Sequence, residues 1–142
     1  VPGVRLGVLC TSNTNLINHT KKDVSIWNIN SFGEFYLQIY EKYKKDYAVA
    51  LKNIKHARNN FIAKLQEVKE FRVIPSEANY VTIEVLEGTS KDLCISMLEK
   101  NIFIKDLTLK INWLNKQFIR VAIRDEVDND LFVKAIKSYY KA

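Results

Sequence analysis

The sequence predicts a mixed α/β domain of the α+β kind, in which helices pack on a layered sheet. Residues 80–85 alternate apolar and polar side chains, which is typical of a strand with one buried face. Apolar residues at helical spacing run from Leu51 to Val68. The final two-thirds of the chain follows the order helix, strand, helix, two strands, helix. This order favours a sheet covered by helices.

Three elements are predicted in the first third of the chain. Branched residues from Val4 to Cys10 predict a strand, and a polar segment before Asn15 predicts the cap of a short helix ending near Lys22. A capping box is predicted for the next helix, with Ser31 as the cap and Glu34 three residues later. That helix has an apolar face made of Phe35, Tyr36, Ile39, Tyr40 and Tyr43.

The remaining elements follow from apolar spacing and from turn residues. The stripe from Leu51 forms a helix to about residue 70, either separate from the preceding helix or continuing it after a break near Asp46. A proline at position 75 should end the pairing of residues 71–74. Further along, we expect a helix capped by Ser90, strands over residues 102–104 and 118–123, a polar loop with Asn112 and Asn115, and a last helix over residues 126–140.

Composition and charge exclude several classes of function. The net charge of +6 comes from 22 basic and 16 acidic residues, but lysines alternate with acids in segments such as residues 41–46, as on a solvated helix face. We therefore expect no nucleic-acid partner. The longest uncharged stretches are shorter than the roughly 20 residues that cross a membrane, so no membrane partner is expected. Cys10 and Cys94 form no CxxC pair, and His19 and His56 have no ligand spacing, so no metal site is expected.

The first residues, Val1-Pro2-Gly3, include no initiator methionine and no basic-then-apolar leader. They predict a cytoplasmic protein and a chain that is a piece of a longer one.

Several motifs resemble the fold-type-I, pyridoxal-phosphate-dependent aminotransferases of class I/II, especially the histidinol-phosphate aminotransferase and threonine-phosphate decarboxylase group. The chain starts with Val1-Pro2-Gly3-Val4-Arg5-Leu6-Gly7, similar to the family's segment after the cofactor lysine. Residues 75–80, Pro-Ser-Glu-Ala-Asn-Tyr, resemble its Pro-Ser-x-Ala-Asn-aromatic motif. Residues 27–31 resemble its Asn-x-Asn segment, and residues 118–124 resemble its strand with the substrate arginine. These motifs occur in the family's order and span nearly the whole chain.

The resemblance implies roles for three residues. Arg5 matches the arginine that contacts the phosphate of the cofactor, pyridoxal 5'-phosphate. Arg120 matches the arginine that binds the substrate α-carboxylate, a task suited to the planar guanidinium fork. Lys105 occupies the position of an arginine that helps to hold a substrate phosphate. A lysine binds anions as a point charge without the fork geometry, which leaves specificity for a phosphorylated substrate open, and a surface lysine is an equally good interpretation.

The resemblance also implies which parts of the catalyst are absent from this chain. The Schiff-base lysine would lie about three residues before Val1, so no catalytic residue is expected here and the chain alone should be inactive. Residues 1–45 would be the end of the large cofactor-binding domain. Residues 46–142 would be the small C-terminal domain with its connecting helix. The complete enzyme would be a homodimer that moves an amino group between an amino acid, or a similar anionic amine, and a 2-oxo acid.

Two alternatives stay open at this stage. A pyridoxal-phosphate-dependent decarboxylase of a phosphorylated amino acid would use the same scaffold, because the choice of bond depends on substrate orientation. A non-catalytic module that binds an anionic partner through Tyr, Lys and Arg is the other alternative. The sequence does not identify the substrate, the domains that would precede Val1, or the oligomeric state of this chain.

Overall fold

The computed structural model describes residues 3–111 and 116–141. It divides the chain into two compact units, Val1–Ala48 and Val49–Ala142. The boundary predicted after residue 45 lies close to this division. The assignment of the first part to a large cofactor-binding domain and of the second to a small domain stays a prediction.

The first unit contains helix α1, Thr14–Asp23, and the start of helix α2, Ser31–Gln66. The Asn13 side chain caps α1 by accepting a hydrogen bond from the Leu16 amide at 3.0 Å. Two predictions about α2 are wrong. Its cap is Asn30, whose Oδ1 accepts from the Gly33 amide at 2.9 Å, so Ser31 is the first helical residue. The helix also continues through Asp46 without a break. Helix formation is cooperative: once the neighbouring residues are helical, the segment around Tyr47 can be added at little cost in free energy.

The strand predicted from Val4 to Cys10 is not formed. Residues 3–5 make a turn, and the segment that follows is irregular. A strand needs a neighbour with which to pair its amides and carbonyls, and the described part of this unit contains only helices. The contacts of this segment include a hydrogen bond from the side-chain Nδ2 of Asn30 to the Val4 carbonyl at 3.0 Å. They also include packing of Leu6 against Gly33, where an added Cβ would lie 3.0 Å from Leu6 Cδ2.

The second unit is an antiparallel sheet with helices, as predicted for the fold class. Its strands are β1, Phe71–Ile74; β2, Tyr80–Val85; β3, Lys105–Asp106; and β4, Gln117–Ala122. They are ordered β1-β2-β4-β3. Helices α3, Ser90–Glu99, and α4, Glu126–Tyr139, and the C-terminal part of α2 complete the unit.

One face of this sheet forms the core with the helices. Successive side chains of a strand point to opposite faces, and the alternate positions of β2 and β4 are buried among residues of all three helices. Phe61 of α2 and Phe132 of α4 meet edge to face, with ring centroids 5.9 Å apart. The most deeply buried large side chains are Phe61, Leu65, Val81, Ile83, Leu93, Met97, Ile119 and Ile136. The opposite face carries polar and charged side chains together with Tyr80 and the buried Phe118, which is the register partner of Glu84.

Two further predictions in this unit need correction. The short strand comprises residues 105–106 and not 102–104, because pairing with β4 starts at Lys105, whereas Phe103 is 85% exposed. The cap of α3 is Thr89, whose Oγ1 accepts from the Asp92 amide at 3.0 Å, and Ser90 is the first helical residue. The predicted polar loop with Asn112 and Asn115 lies outside the described residues.

Within residues 3–111 and 116–141, no helix combines the length and apolarity needed to cross a membrane. The same residues include no cluster of His, Cys, Asp and Glu that could hold a metal ion.

Candidate functional site

The two predicted substrate-binding residues are neighbours on the polar face of the sheet. Arg120 of β4 is the direct partner of Lys105 of β3, and on its other side it is the partner of Thr82 of β2. Directly opposed residues of antiparallel strands point to the same face, with Cβ atoms about 4.5–5.5 Å apart. The side chains of Lys105, Arg120 and Thr82, two cations and a hydroxyl, therefore lie side by side across three strands. Both cations are exposed.

The guanidinium of Arg120 lies over an aromatic ring. Its Cζ is 5.1 Å from the centroid of the Tyr80 ring, which belongs to the same face of β2. A guanidinium over an aromatic face is attracted by the ring quadrupole and keeps its edge donors free. Among the described residues, no carboxylate pairs with Arg120 or with Lys105. Both are therefore available to an external anion.

The edge strand that carries Lys105 is held by a carboxylate in the next position. Asp106 Oδ1 accepts hydrogen bonds from the Thr108 amide at 2.8 Å, from the Thr108 hydroxyl at 2.6 Å and from the hydroxyl of Ser90 at 3.0 Å. Partial burial alone would raise the pKa of Asp106, but the bonds from Thr108 and Ser90 outweigh it and lower that pKa below its ordinary value. This network fixes a strand of only two residues.

On the helix-covered face of the sheet, opposite Lys105 and Arg120, the network extends into helix α3. The Ser90 amide donates to Gln117 Oε1 at 2.7 Å, and Gln117 Nε2 donates to the Gly88 carbonyl at 3.2 Å. Burial, with a smaller contribution from the Asp106 charge, raises the pKa of the Cys94 thiol to about 11. A thiol with a raised pKa is mostly protonated at neutral pH, which disfavours Cys94 as a nucleophile.

Two further cations on this face, Arg72 and Lys116, pair with a carboxylate. Glu84 of β2 is buried and pairs with Arg72 of β1, and also with Lys116 at 3.1 Å. Burial raises the pKa of Glu84, but the bonds from Arg72 and Lys116 more than offset it, so the pKa of this carboxyl lies below its ordinary value. Arg72 and Lys116 thus share one carboxylate, which offsets one of their two positive charges and distinguishes them from Arg120 and Lys105.

The segment that leads into β2 is pinned around Ser76. The Ser76 hydroxyl donates to the Tyr80 carbonyl at 2.6 Å and accepts from the Ala78 amide at 3.1 Å. The Asn79 carbonyl accepts from the Ile123 amide at 3.0 Å, which extends the β2–β4 pairing by one bond. The Pro75–Tyr80 segment therefore determines where the Tyr80 ring lies under Arg120.

Arg124 follows the end of β4 and is held by contacts within the chain. It pairs with Asp128, four residues later, and this hydrogen bond is the main cause of its raised pKa. The buried Asn129 side chain bonds both the amide and the carbonyl of Arg124, at 3.0 and 2.9 Å, and thereby fixes the entry into α4.

Arg5, the predicted cofactor-phosphate residue, lies in the first unit. It is exposed and adopts φ 59°, and the Asn30 bond to the Val4 carbonyl anchors the turn before it. Within the described residues, no carboxylate occupies its guanidinium. A free planar fork on an anchored turn fits a phosphate group. The role of Arg5, like those of Arg120 and Lys105, stays a prediction.

Comparison with known proteins agrees with the motifs. The profile of the family described as aminotransferase class I and II matches residues 1–136. The L-serine phosphate decarboxylase of Campylobacter jejuni is 31% identical over 99% of this chain, and the histidinol-phosphate aminotransferase of Methanococcus aeolicus is 31% identical over 70%. The histidinol-phosphate aminotransferase structure from Clostridium acetobutylicum superposes with a TM-score of 0.80 at 30% identity, over 99% of this chain.

These matches cover only part of each relative. The chain spans 37% of the Campylobacter decarboxylase, 25% of the Methanococcus enzyme and 42% of the Clostridium structure. The family profile nevertheless covers almost all of this chain, in agreement with the sheet and its helices. The chain therefore belongs to the aminotransferase class I and II family, whose members depend on pyridoxal phosphate.

Proposed function

We propose that this chain supplies the substrate anchors of a pyridoxal-phosphate-dependent enzyme that acts on an amino acid with a second anionic group, with aminotransfer to a 2-oxo acid as the leading reaction. The observation that carries the proposal is the pairing of Lys105 with Arg120 on an exposed sheet face. Two unpaired cations so close together repel each other, and an anion placed between them removes this cost. A ligand with two anionic groups fits this arrangement better than a ligand with one.

The two cations have different tasks. The guanidinium of Arg120 binds the α-carboxylate through two parallel hydrogen bonds, which fixes the direction of the bonds at Cα. Lys105 binds the second anion, a phosphate or carboxylate, as a point charge without directional preference. Orientation therefore depends on Arg120, and selectivity for the second charged group depends on Lys105.

Arg5 is the residue of this chain that would hold the cofactor phosphate. When bound, the cofactor supplies an electron sink for the bond that breaks at Cα. In the proposal, the lysine that reacts with the cofactor belongs to the remainder of the protein. The complete enzyme is proposed to be a homodimer. The isolated chain is accordingly expected to bind substrate anions weakly and to catalyse nothing.

Decarboxylation is the second candidate reaction. It is favoured by the similarity to the L-serine phosphate decarboxylase, whose name describes a substrate with both a carboxylate and a phosphate. The same two anchors serve either reaction, because the bond aligned with the electron sink is the one that breaks. A carboxylate held by Arg120 in one direction favours loss of the Cα proton, and in another direction favours loss of carbon dioxide.

The experiment measures both products from one incubation. The complete enzyme that contains this chain is supplied with pyridoxal phosphate, O-phospho-L-serine and 2-oxoglutarate, and carbon dioxide and glutamate are quantified. Glutamate without carbon dioxide supports aminotransfer, and carbon dioxide without need of 2-oxoglutarate supports decarboxylation. If neither product forms from this or any other anionic amino acid, the proposal is wrong.

The anchors are tested with Lys105→Met. A lost hydrogen bond to a charged group costs about 1.5–3 kcal/mol, which is roughly a 10- to 150-fold rise in KM. The rise is expected for O-phospho-L-serine and not for L-alanine, which has no second anion. Arg120→Met should raise KM for both. Lys134→Met, which removes an exposed lysine of α4, is the control and should change neither.

A further inference from the structure

A buried arginine lies behind the segment that positions Tyr80. Arg58 of α2 is only 5% exposed, although it carries a full charge. Its Nη1 donates to the carbonyls of Glu77, at 2.8 Å, and Ala78, at 3.3 Å, and its Nη2 pairs with the Glu77 carboxylate. All of these acceptors belong to the Pro75–Tyr80 segment. The sequence pattern assigned Arg58 only to the apolar stripe of the helix.

The contacts are directed mainly at the backbone. The carboxylate partner, Glu77, is 92% exposed on its side chain, so it is a weak, solvated counter-charge. A simple surface ion pair would involve only the two charged groups. Arg58 in addition donates hydrogen bonds to the backbone carbonyls of Glu77 and Ala78. A buried guanidinium is costly unless several of its donors are bonded, and here the carbonyls meet that need. The same bonds stop residues 77 and 78 from moving away from the helix.

From these residues a short path leads to the predicted substrate arginine. Ala78 is bonded through its amide to the Ser76 hydroxyl, which also donates to the Tyr80 carbonyl. The Tyr80 ring lies 5.1 Å from Arg120 Cζ. A shift of the backbone at residue 78 would therefore be passed to the Tyr80 ring, and Arg120 would lose the surface on which it rests.

We infer that Arg58 is a positioning residue for substrate binding: it holds the Pro75–Tyr80 segment so that the Tyr80 ring orients the guanidinium of Arg120 toward the substrate carboxylate. The functional part of this inference rests on the proposed role of Arg120. The structural part does not, and it can be measured without any ligand.

The structural part is tested by nuclear magnetic resonance on the full chain. The Tyr80 ring current shifts the side-chain resonances of Arg120, and Tyr80→Leu identifies the size of that shift. Arg58→Met is expected to abolish it. Lys55→Met is the matched control, because Lys55 is an exposed cation one turn earlier on α2, and it should leave the shift unchanged. Native methyl resonances of Leu65 and Ile119 show that the core is folded.

A folded Arg58→Met protein that retains the Arg120 shift overturns the inference. If Arg58→Met does not fold, Arg58→Lys decides the question, because it keeps a positive charge while removing the guanidinium bonds to the Glu77 and Ala78 carbonyls. Ser76→Ala tests the next step of the path, because it removes the bonds of Ser76 to Ala78 and Tyr80 within the segment. Loss of the Arg120 shift in these two variants supports the inference, and an unchanged shift in both overturns it.

Kinetics of the complete enzyme test the functional part. Arg58→Lys should raise KM for the amino acid roughly 2- to 5-fold, the scale of a cation–π contact at an exposed site, with kcat nearly unchanged. Lys55→Met should change neither constant. A fall in kcat without a rise in KM would contradict the positioning role. An enzyme that turns over no amino acid refutes the proposed function, while the resonance measurement still decides the role of Arg58.

Discussion

Asp106 is the residue on which the geometry of the edge strand depends most. Its Oδ1 accepts three hydrogen bonds, two from Thr108 and one from Ser90, at 2.6–3.0 Å. Asn at this position keeps an oxygen acceptor but loses the charge that strengthens each bond. Because charge-assisted bonds are about twice as strong as neutral ones, we expect Asp106→Asn to lower the free energy of unfolding by about 1–2 kcal/mol.

Urea unfolding followed by circular dichroism measures this loss. With a slope of about 2 kcal/mol/M, the middle of the usual range for urea, the midpoint should fall by roughly 0.5–1 M while the slope is unchanged. Asp46→Asn is the control, since Asp46 is an exposed carboxylate in the middle of α2, and its midpoint should match that of the unaltered chain.

The pH dependence provides a second check with a defined sign. The pKa of Asp106 is lower in the folded chain than its ordinary value of about 3.9, so its stabilisation is present above that value and is lost as the pH falls through the folded pKa. The difference between the unaltered chain and Asp106→Asn should be full at neutral pH and should shrink below about pH 4. Equal stability at neutral pH, or a difference that grows in acid, would refute this account of the network.

Two further outcomes follow from burial. Phe61→Ala removes a ring that is 1% exposed and packed edge to face on Phe132. It should lower the free energy of unfolding, measured by urea titration, by about 3–5 kcal/mol. A loss below about 1 kcal/mol would mean that the core is not packed as described. Burial raises the pKa of Cys94 to about 11, so at about pH 8 this thiol should react with iodoacetamide only after urea is added. The exposed Cys10 should react at once. Equal reaction rates of the two thiols in the native chain would contradict the partial burial of Cys94.

Much of the second unit could be predicted from periodicity. The alternation from Tyr80 to Val85 matches β2 residue for residue, and the last helix ends at Tyr139, one residue before the predicted end. These elements bury one face over several residues, so that the pattern in sequence and the partition between core and solvent carry the same information.

Elements that depend on distant partners were predicted less well. Val4–Cys10 has the composition of a strand but no neighbour to pair with in the described residues, and composition alone does not provide one. The two-residue strand at Lys105 is too short for an alternation pattern and exists because β4 and the Asp106 network hold it. Both caps that were misplaced are off by one residue, since Asn30 and Thr89 each precede a serine that could also cap a helix.

In the candidate site, too, the sequence predicts single residues but not the contacts that depend on distant partners. The resemblance named Arg120 and Lys105 individually, and the strand register adds that they are direct neighbours. The buried Arg58 could not be recognised, because an arginine within an apolar helical stripe resembles a boundary residue with an exposed charge. Asp106 and Thr108 carried a local signal, an Asp followed two residues later by a hydroxyl residue, which is the spacing of an Asx turn.

The central claim is that Lys105 and Arg120 together bind a substrate with two anionic groups. Its most direct test is the ratio of kcat/KM for O-phospho-L-serine to that for L-alanine, compared between the complete enzyme and its Lys105→Met variant. The account predicts that the ratio falls roughly 10- to 150-fold, because only the second anion loses its partner. An unchanged ratio would contradict the claim and would make Lys105 an ordinary surface lysine.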